Sequence, residues 1–454
     1  MSRFVRASKF RHVFGEGTKK ESCFDGIPIT KSAHDSMFID VNDKFVAICL
    51  QSGGGAFAVL KHDQVGRLDM NHPKVSGHKA PVLDVQWNPF NANMVASASE
   101  DCTVKVWLIP EEGITENTDT PAVTLEGHQK KVGHVMWHPT AADILFSSSA
   151  DNSIKVWNVA TGECVNTFEC HPNTVFQMSF NWDGSRMVTT CKDKKVRIID
   201  THSGEVLHEA DGHPGAKASR CAWLGKEDKV LTTGFSKYSD RQYKLFNGDL
   251  SIIKEENIDT SSGVIIPVYD ADLNILYLGG KGDGNIDYYE INETKPFVHK
   301  LSSYTSSEPQ KGFGFLPKRA CAINKHEIAR FYKMTSKNLV EPISMIVPRK
   351  SDQFQDDLYP DTKGDTSAIT AEDWIAGGNA DPILISLKDG FTPATKEFVA
   401  PVIAPKQEES NDSTSKIDYE AEFKRVEAEN KALLEKVKEL EEQLKNQTVS
   451  AGSN

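Results

Sequence analysis

The chain of 454 residues lacks the features that mark membrane-spanning, secreted or nucleic-acid-binding proteins. It has no apolar run of 18 residues, so we expect no transmembrane segment. The N-terminal stretch MSRFVRASKFRHVF carries charges throughout and has no uninterrupted apolar core, so we expect no signal peptide. The net charge is −12, whereas a dedicated nucleic-acid-binding protein is usually basic. We therefore expect no nucleic-acid partner.

Cysteine pairs and catalytic motifs are also missing. The eight cysteines are dispersed, and no two of them have the Cys-x-x-Cys spacing. This pattern predicts reduced thiols in a cytosolic protein, with neither a disulfide framework nor a zinc site. The sequence contains no His-Glu-x-x-His motif, no Gly-x-Ser-x-Gly motif and no cluster of metal ligands. We therefore predict that the protein is not an enzyme and has no metal or cofactor.

The sequence does contain an internal repeat. The stretch VLDVQWNPFNANMVASASEDCTVKVW matches VGHVMWHPTAADILFSSSADNSIKVW, and in both an aspartate and a tryptophan follow a histidine by 23 and 29 residues. These two sets are His78, Asp101 and Trp107, and His128, Asp151 and Trp157. Two further copies keep the pairs His171 with Asp193 and His213 with Asp240, and a weaker copy contains LYLGGKGDGNIDYYEI.

The repeat predicts the fold. Each copy has short runs of alternating or β-branched apolar residues separated by turns such as NPFN and HPTA, as in β-strands. A period of about 40–50 residues is typical of WD-repeat propeller blades, which bury their faces by stacking radially. Residues 37–70 and 310–348 show the same strand pattern. We predict an all-β, seven-bladed β-propeller over residues 1–349, closed by a strand from residues 8–14.

We interpret the recurring histidine, aspartate and tryptophan residues as structural. A carboxylate in a tight turn can cap backbone N–H groups, and a buried carboxylate needs donors, which the histidine and nearby serines can supply. A catalytic site is normally unique, whereas this set recurs in several blades.

The C-terminal part of the chain divides into four predicted segments. Residues 350–390 contain many large apolar residues, so we predict an extension packed on the propeller, with a short helix between Thr370 and Gly377. The composition of residues 391–416 predicts a disordered linker. Residues 417–446 are predicted to form an α-helical coiled coil, and residues 447–454 a disordered tail.

The coiled coil is predicted from heptad spacing. Its oligomerisation residues are Phe423, Val426, Asn430, Leu433, Val437, Leu440 and Leu444. Valine and leucine at the two core positions, with the polar Asn430, favour a dimer. The stretch KVKELE resembles a trimer-promoting pattern, so both a dimer and a trimer are open. A single amphipathic helix packed on the propeller is a less favoured alternative.

Residues 1–20 are locally basic. This stretch has six basic residues and one acidic residue, Glu16. The basic residues are Arg3, Arg6, Lys9, Arg11, Lys19 and Lys20. Two interpretations fit this composition: a solvated terminus, or a basic surface that attracts an acidic partner.

Several stretches are similar to one family. They are VRASKFRHVFG, SGGGAFAVL, SEDCTVKVW, KDKKVRIID, LTTGFSK, EIARFYK, and VPRKSDQFQDDLYPDT followed by ADPILISL. Together with the predicted propeller, extension, linker and coil, they resemble a short coronin. The resemblance implies a cytoplasmic protein of the actin cytoskeleton and cell cortex. It also implies partners: filamentous actin, the actin-related-protein branching complex and cofilin.

One position departs from the family pattern. Members often have a basic residue in the segment after the Cys-aromatic pair, here Cys23-Phe24, but this chain has Pro28. Lys31 is a nearby substitute and joins the six basic residues above as a candidate actin-binding residue. A generic WD-repeat adaptor for another cytosolic complex is the alternative function. An enzyme that uses the central channel would need a unique polar cluster at its mouth, whereas the sequence shows only repeated sets.

Overall fold

The computed structural model describes residues 6–52 and 54–391. The predictions for Arg3, for the linker beyond residue 391, for the coiled coil at 417–446 and for the tail at 447–454 lie outside the described residues.

Short strands make up nearly all of the regular structure in the described part of the chain. The first strands are β1 (Phe14–Gly17), β2 (Phe24–Asp25), β3 (Ile39–Val41), β4 (Phe45–Cys49), β5 (Phe57–Lys61) and β6 (Gly66–Arg67). The next are β7 (Val82–Trp87), β8 (Met94–Ser99), β9 (Thr103–Leu108), β10 (Val123–Glu126), β11 (Val132–Trp137), β12 (Ile144–Ser149), β13 (Ile154–Asn158) and β14 (Glu163–Phe168). They are followed by β15 (Val175–Phe180), β16 (Arg186–Cys191), β17 (Lys195–Asp200), β18 (Val206–Asp211), β19 (Arg220–Trp223), β20 (Lys229–Phe235), β21 (Arg241–Asn247) and β22 (Ile252–Asp259).

The remaining elements complete the propeller and the segment that follows it. The strands are β23 (Ile265–Asp270), β24 (Ile275–Gly280), β25 (Asn285–Ile291), β26 (Val298–Thr305), β27 (Gln310–Phe315), β28 (Glu327–Thr335), β29 (Leu339–Ile346), β30 (Thr362–Lys363) and β31 (Leu384–Ile385). The helices are α1 (Ala371–Ile375) and three 3-10 turns at Lys20–Ser22, Lys318–Ala320 and Ile323–Lys325.

Seven sheets form the blades and confirm the predicted seven-bladed propeller. Blade 1 is β3–β5, and blades 2 to 6 are the four-stranded antiparallel sheets β7–β10, β11–β14, β15–β18, β19–β22 and β23–β26. Blade 7 has the order β27-β28-β29-β2-β6, with β1 also paired to β29. In β7, burial alternates along VLDVQW after the first two residues, and the second strands are buried almost throughout. The apolar strands are therefore enclosed between neighbouring blades.

The N-terminal segment closes the ring in blade 7, but not through the predicted strand at residues 8–14. Pairing begins at Phe14, which lies opposite Ile346, and continues in β2, where Phe24 lies opposite Val340. Residues 9–12 form a turn in which the Val13 amide donates to the Phe10 carbonyl at 3.0 Å. Phe10 and Val13 are both buried in one apolar cluster. Residues three apart on a strand point to opposite faces, whereas this turn lets both side chains enter the same cluster.

Antiparallel pairing places the turns of every blade on two opposite faces. The turns between second and third strands share a face with the connections between blades, and we call this the upper face. The turns between first and second strands lie on the lower face.

The extension after blade 7 contacts the lower face. The Ala368 amide donates to the carbonyl of Thr140, in the turn between β11 and β12, at 2.9 Å. Helix α1 begins at Thr370, whose hydroxyl accepts from the Asp373 amide at 3.1 Å. Trp374 on this helix is 2% exposed and packs against Phe146 and His138. The extension is thus tied to the propeller by main-chain bonds and one buried indole.

Candidate protein-interaction surface

The repeated residues form a hydrogen-bonded chain in blades 2 and 3. In blade 2, the His78 ring joins the Asp101 carboxylate at 2.9 Å and the Ser97 hydroxyl at 2.8 Å, and the Trp107 indole N–H donates to Ser97 at 2.9 Å. In blade 3, His128, Asp151, Ser147 and Trp157 repeat this arrangement, with distances between 2.8 and 3.0 Å. Each chain ties the entry turn of a blade to its second and third strands.

In blades 4 and 5 the same chain is only partial. His171 joins Thr189 at 2.9 Å, while Asp193 accepts from Arg197 at 2.6 Å. His213 joins Thr232 at 2.9 Å, while Asp240 accepts from Ser236 within its own turn. The third strands have Ile199 and Phe246 where blades 2 and 3 have tryptophan. These blades lack the indole donor but keep the hydrogen bond from the histidine to the second strand. Their aspartates accept from residues close in sequence, Arg197 and Ser236.

The aspartates of the complete sets are held as carboxylates. Burial alone would raise the pKa of Asp101, but hydrogen bonds from His78, Thr103 and the Lys79 amide outweigh it and hold the pKa well below its usual range. The Asp151 carboxyl has a lowered pKa for the same reason. A general base needs a pKa close to the working pH, so these carboxylates are unsuited to that role. They instead accept hydrogen bonds that hold the turn.

The structure does not bring the candidate basic residues into one patch. Arg6 pairs with Glu290 of blade 6 at 2.7 Å, and the Lys9 ammonium donates to the Asp357 carbonyl of the extension. Burial lowers the pKa of Lys9. These two side chains therefore fasten the N-terminal segment to the rest of the protein.

The other candidates are exposed at separate places. Arg11 is exposed beside the turn at residues 9–12. Lys19 and Lys20 are exposed between β1 and β2 at the outer edge of blade 7, and Lys20 lies 3.9 Å from Asp25. Lys31 is exposed on the upper face, where its amide donates to the Gln51 side chain at 2.7 Å. Of the described candidates, only Lys31 lies on this face.

Exposed lysines line the upper face of blades 2 to 5. We call them the upper-face lysines: Lys79, Lys130, Lys131, Lys192, Lys194, Lys217 and Lys237. The turn aspartates between them are partly buried and hydrogen-bonded, whereas the exposed acidic residues in these turns are Glu100, Glu126, Glu169 and Asp211. The sequence signal was present, since lysines flank the repeated turn aspartate in KDKK. The lysines lie in turns that are far apart in the sequence, so no single stretch shows them as one basic patch.

A second feature that the repeats did not reveal is a plug segment, residues 30–36, across the upper mouth of the channel. The His34 ring joins the Gly133 carbonyl of blade 3 at 2.8 Å, and the Ser36 hydroxyl donates to the Leu83 carbonyl of blade 2. From the opposite side, the Lys281 ammonium donates to the carbonyls of His34 and Ser36 at 3.0 and 3.2 Å.

Two more cations complete the anchoring of the plug. The Arg220 guanidinium of blade 5 donates to the Asp35 carbonyl, and the Lys311 ammonium of blade 7 donates to the Thr30 carbonyl at 3.2 Å. On the side of blade 1, the Thr30 amide donates to the Cys49 carbonyl at 3.1 Å. Six blades therefore hold this segment, and the cations bind its main-chain oxygens.

The channel below the plug contains partly buried titratable side chains around a cavity of about 150 Å³. Burial raises the pKa of Asp40 and of Asp84 to about 7, and burial lowers the pKa of His134 to about 3. In residues 6–52 and 54–391, this polar cluster lies outside the repeated sets, as the cluster of an enzyme that used the channel would. Arg220, Lys281 and His34, however, are engaged in holding the plug, which supports a structural role for the cluster.

Residues 6–52 and 54–391 contain no group of three or more His, Cys, Asp or Glu side chains that could hold a metal ion. All eight cysteines lie in these ranges and are free thiols. No helix within these ranges is long and apolar enough to cross a membrane.

Comparisons with known families match several parts of the chain. A family model described as a domain of unknown function, DUF1899, matches residues 3–67. The WD domain, G-beta repeat, matches residues 71–107, 119–158 and 162–200, and a further type of WD40 repeat matches residues 340–382.

Similar proteins and structures cover most of the chain. Human Coronin-2B is 52% identical over 402 residues, which are 87% of this chain and 84% of that protein. Human Coronin-2A is 49% identical over 394 residues, which are 85% of this chain and 75% of that protein. The crystal structure of the WD40 domain from Toxoplasma gondii coronin has 30% identity and a TM-score of 0.78, covering 83% of this chain and 97% of that one. The chain belongs to the coronin family.

Proposed function

We propose that this protein is a non-enzymatic scaffold that binds actin filaments and regulates their dynamics at the cytoplasmic cell cortex. Membership of the coronin family supports the actin-directed role. The relatives' names do not define which surface makes the contact, so that part of the proposal comes from the charges on the propeller.

The filament contact is assigned to the upper-face lysines together with Lys31. Actin filaments are acidic, and exposed lysines attract an acidic surface at long range and fix its orientation on contact. The observation that carries this assignment is the arrangement of the turns. They expose their lysines and hold their aspartates in hydrogen bonds, as in Asp101 with His78 and Asp193 with Arg197.

We assign the second part of the proposed function, oligomerisation and partner recruitment, to the predicted coiled coil. As a homo-oligomer, dimer or trimer, the protein would present several propellers to one filament, which raises the avidity without a new contact. The C-terminal segment would also recruit the actin-related-protein branching complex, with cofilin as a further partner. These roles follow from the family and are proposals for this chain.

Co-sedimentation with actin filaments tests the filament contact. We expect the Lys192→Glu/Lys194→Glu double variant to bind about tenfold or more weakly and with a flatter salt dependence, since two attractive charges become repulsive. The matched control is Lys226→Glu, a change at an exposed lysine between β19 and β20 on the lower face, which should bind as the wild type does. Lys19→Glu/Lys20→Glu tests the edge of blade 7 independently.

The results of these experiments distinguish a contact on the upper face from one at the edge of blade 7 and from a generic adaptor. If only the Lys19/Lys20 variant weakens pelleting, the contact lies at the edge of blade 7 and the assignment to the upper face is wrong. If the wild type does not pellet at modest salt, the generic adaptor becomes the better explanation. A truncation after residue 400 that pellets weakly, compared with the full chain, would support the contribution of the coil to avidity.

A further inference from the structure

A cavity of about 530 Å³ opens on the upper face between the plug segment and blades 3 to 5. The plug contributes Ala33 to its lining, and the turn that enters blade 5 contributes Ala216 and Ala218. Val175 and Phe176 add apolar surface from blade 4. The volume is that of a site for a small ligand or for inserted side chains.

Arg220 forms part of the floor of this cavity and is 3% exposed. Its guanidinium binds two main-chain oxygens, of Asp35 and of Phe176. Among the described residues, no carboxylate is bonded to this guanidinium, and the Asp35 and Asp84 carboxyls act on its charge only from a longer distance. A buried cation without a paired anion is costly, so an anion that enters the cavity is favoured.

The rim strengthens this preference. Lys131 and Lys192 line the cavity and are both exposed. Both acidic side chains at the cavity already have a cationic neighbour. A carboxylate oxygen of Glu100 lies 3.9 Å from the Lys131 ammonium nitrogen, and one of Asp35 lies 3.6 Å from the Lys281 ammonium nitrogen. The cavity therefore combines a cationic floor, cationic rim positions and apolar walls.

We propose that this cavity receives an acidic side chain of an actin subunit, with its carboxylate above Arg220 and its methylene groups against the alanine walls. The inference rests on the proposed filament binding and adds a specific insertion site to it. A protein side chain is favoured over a free anion because the walls are apolar and the rim lies among the upper-face lysines. A bare phosphate would leave those walls in contact with water.

Filling the cavity without changing any charge tests the proposal. Ala216→Trp and Ala33→Trp each place an indole in the lining of the cavity, at positions that are exposed. Ala122→Trp, at an exposed residue before β10 on the outside of blade 2, is the matched control. In co-sedimentation of the full chain with filaments, both cavity variants should bind about tenfold or more weakly, and the control should match the wild type.

The outcomes distinguish this proposal from the function on which it rests. If the wild type does not pellet, both are overturned. If the wild type and both cavity variants pellet equally, with unchanged thermal midpoints, filament binding stands and the insertion site is wrong. If inorganic phosphate raises the thermal midpoint of the wild type but of neither cavity variant, and these variants still pellet normally, the cavity binds a free anion instead.

Discussion

Arg220 donates a hydrogen bond to the main-chain carbonyl of Asp35, although 185 residues separate them in the sequence. The bond connects the first strand of blade 5 to the plug, which lies before the first strand of blade 1. Lys281 of blade 6 and Lys311 of blade 7 make equivalent bonds to the plug. The N-terminal plug is therefore held both by early blades and by blades that come last in the chain, and its full anchoring should depend on closure of the whole ring.

Replacing Lys281 with methionine should loosen the plug. The change removes the donor to two main-chain oxygens, of His34 and Ser36, and the partner of the Asp35 carboxylate. We expect the free energy of unfolding to fall by about 2–4 kcal/mol, measured by urea titration. Lys237→Met, at an exposed turn lysine of blade 5, is the control and should leave it nearly unchanged. Equal stability of the two variants would contradict the anchoring role of Lys281.

The buried carboxyls of the channel should make stability depend on pH. Burial raises the pKa of Asp84 to about 7 in the folded protein, compared with about 3.9 in an unfolded chain. The folded state then binds more protons between these values, so the contribution of Asp84 to stability is lost as pH rises from about 4 to about 7. Buried His34 and His134, with pKa values lowered to about 3, act in the opposite direction below pH 6.5.

The Asp84→Asn variant isolates this contribution, because the histidines are common to both proteins. Asparagine keeps an oxygen that can accept from the Val135 amide, which lies 3.2 Å from the Asp84 carboxylate. We expect the stability of the variant relative to the wild type to increase between pH 5 and pH 8, measured by urea unfolding at each pH. Asp211→Asn on the exposed edge of blade 4 provides the control. A relative stability independent of pH would show that Asp84 is ionised throughout this range.

The sequence predicted the parts of the fold that repeat. The spacing of His78, Asp101 and Trp107 is the same in the next copy, and this repeat predicts one blade. The length of the repeat then predicts how many blades form the ring. The need to close the ring predicts that the N-terminal segment joins the last blade, but it does not fix which residues pair. Residues 9–12 form a turn, and the pairing is made by β1 and β2. A turn and a short strand have similar apolar content, so local pattern does not separate them.

The plug and the cavity could not be predicted in the same way. Arg220 and Lys281 belong to no repeated set, and their roles arise only when blades 5 and 6 approach the N-terminal segment. A buried arginine and an exposed one look alike in a sequence without an alignment of relatives. The upper-face lysines could be predicted only in part. Each lies in a predictable turn, but only the ring places them side by side.

Removing the carboxylate of Asp151 should destabilise blade 3. Its oxygens accept from the Gln129 and Ser153 amides at 2.8 and 3.0 Å, and one of them lies 3.0 Å from the His128 ring. Asp151→Ala leaves these partners without an acceptor, at an expected cost of about 2–3 kcal/mol in the free energy of unfolding. Asp240→Ala is the informative comparison, since Asp240 bonds within its own turn and not to His213. Thermal midpoints that fall equally in both variants would count against the role of the histidine link.

The predicted coiled coil is tested by placing charges in its seam. Replacing Val437 and Leu440 with glutamate introduces like charges at core positions of the heptads, which opposes association of the helices. We expect a monomer in sedimentation equilibrium and weaker filament binding, because one propeller then replaces several on each filament. Glu439→Gln, between the two core positions, should leave the mass of the oligomer unchanged. A variant that retains the wild-type mass would show that these residues do not form the interface.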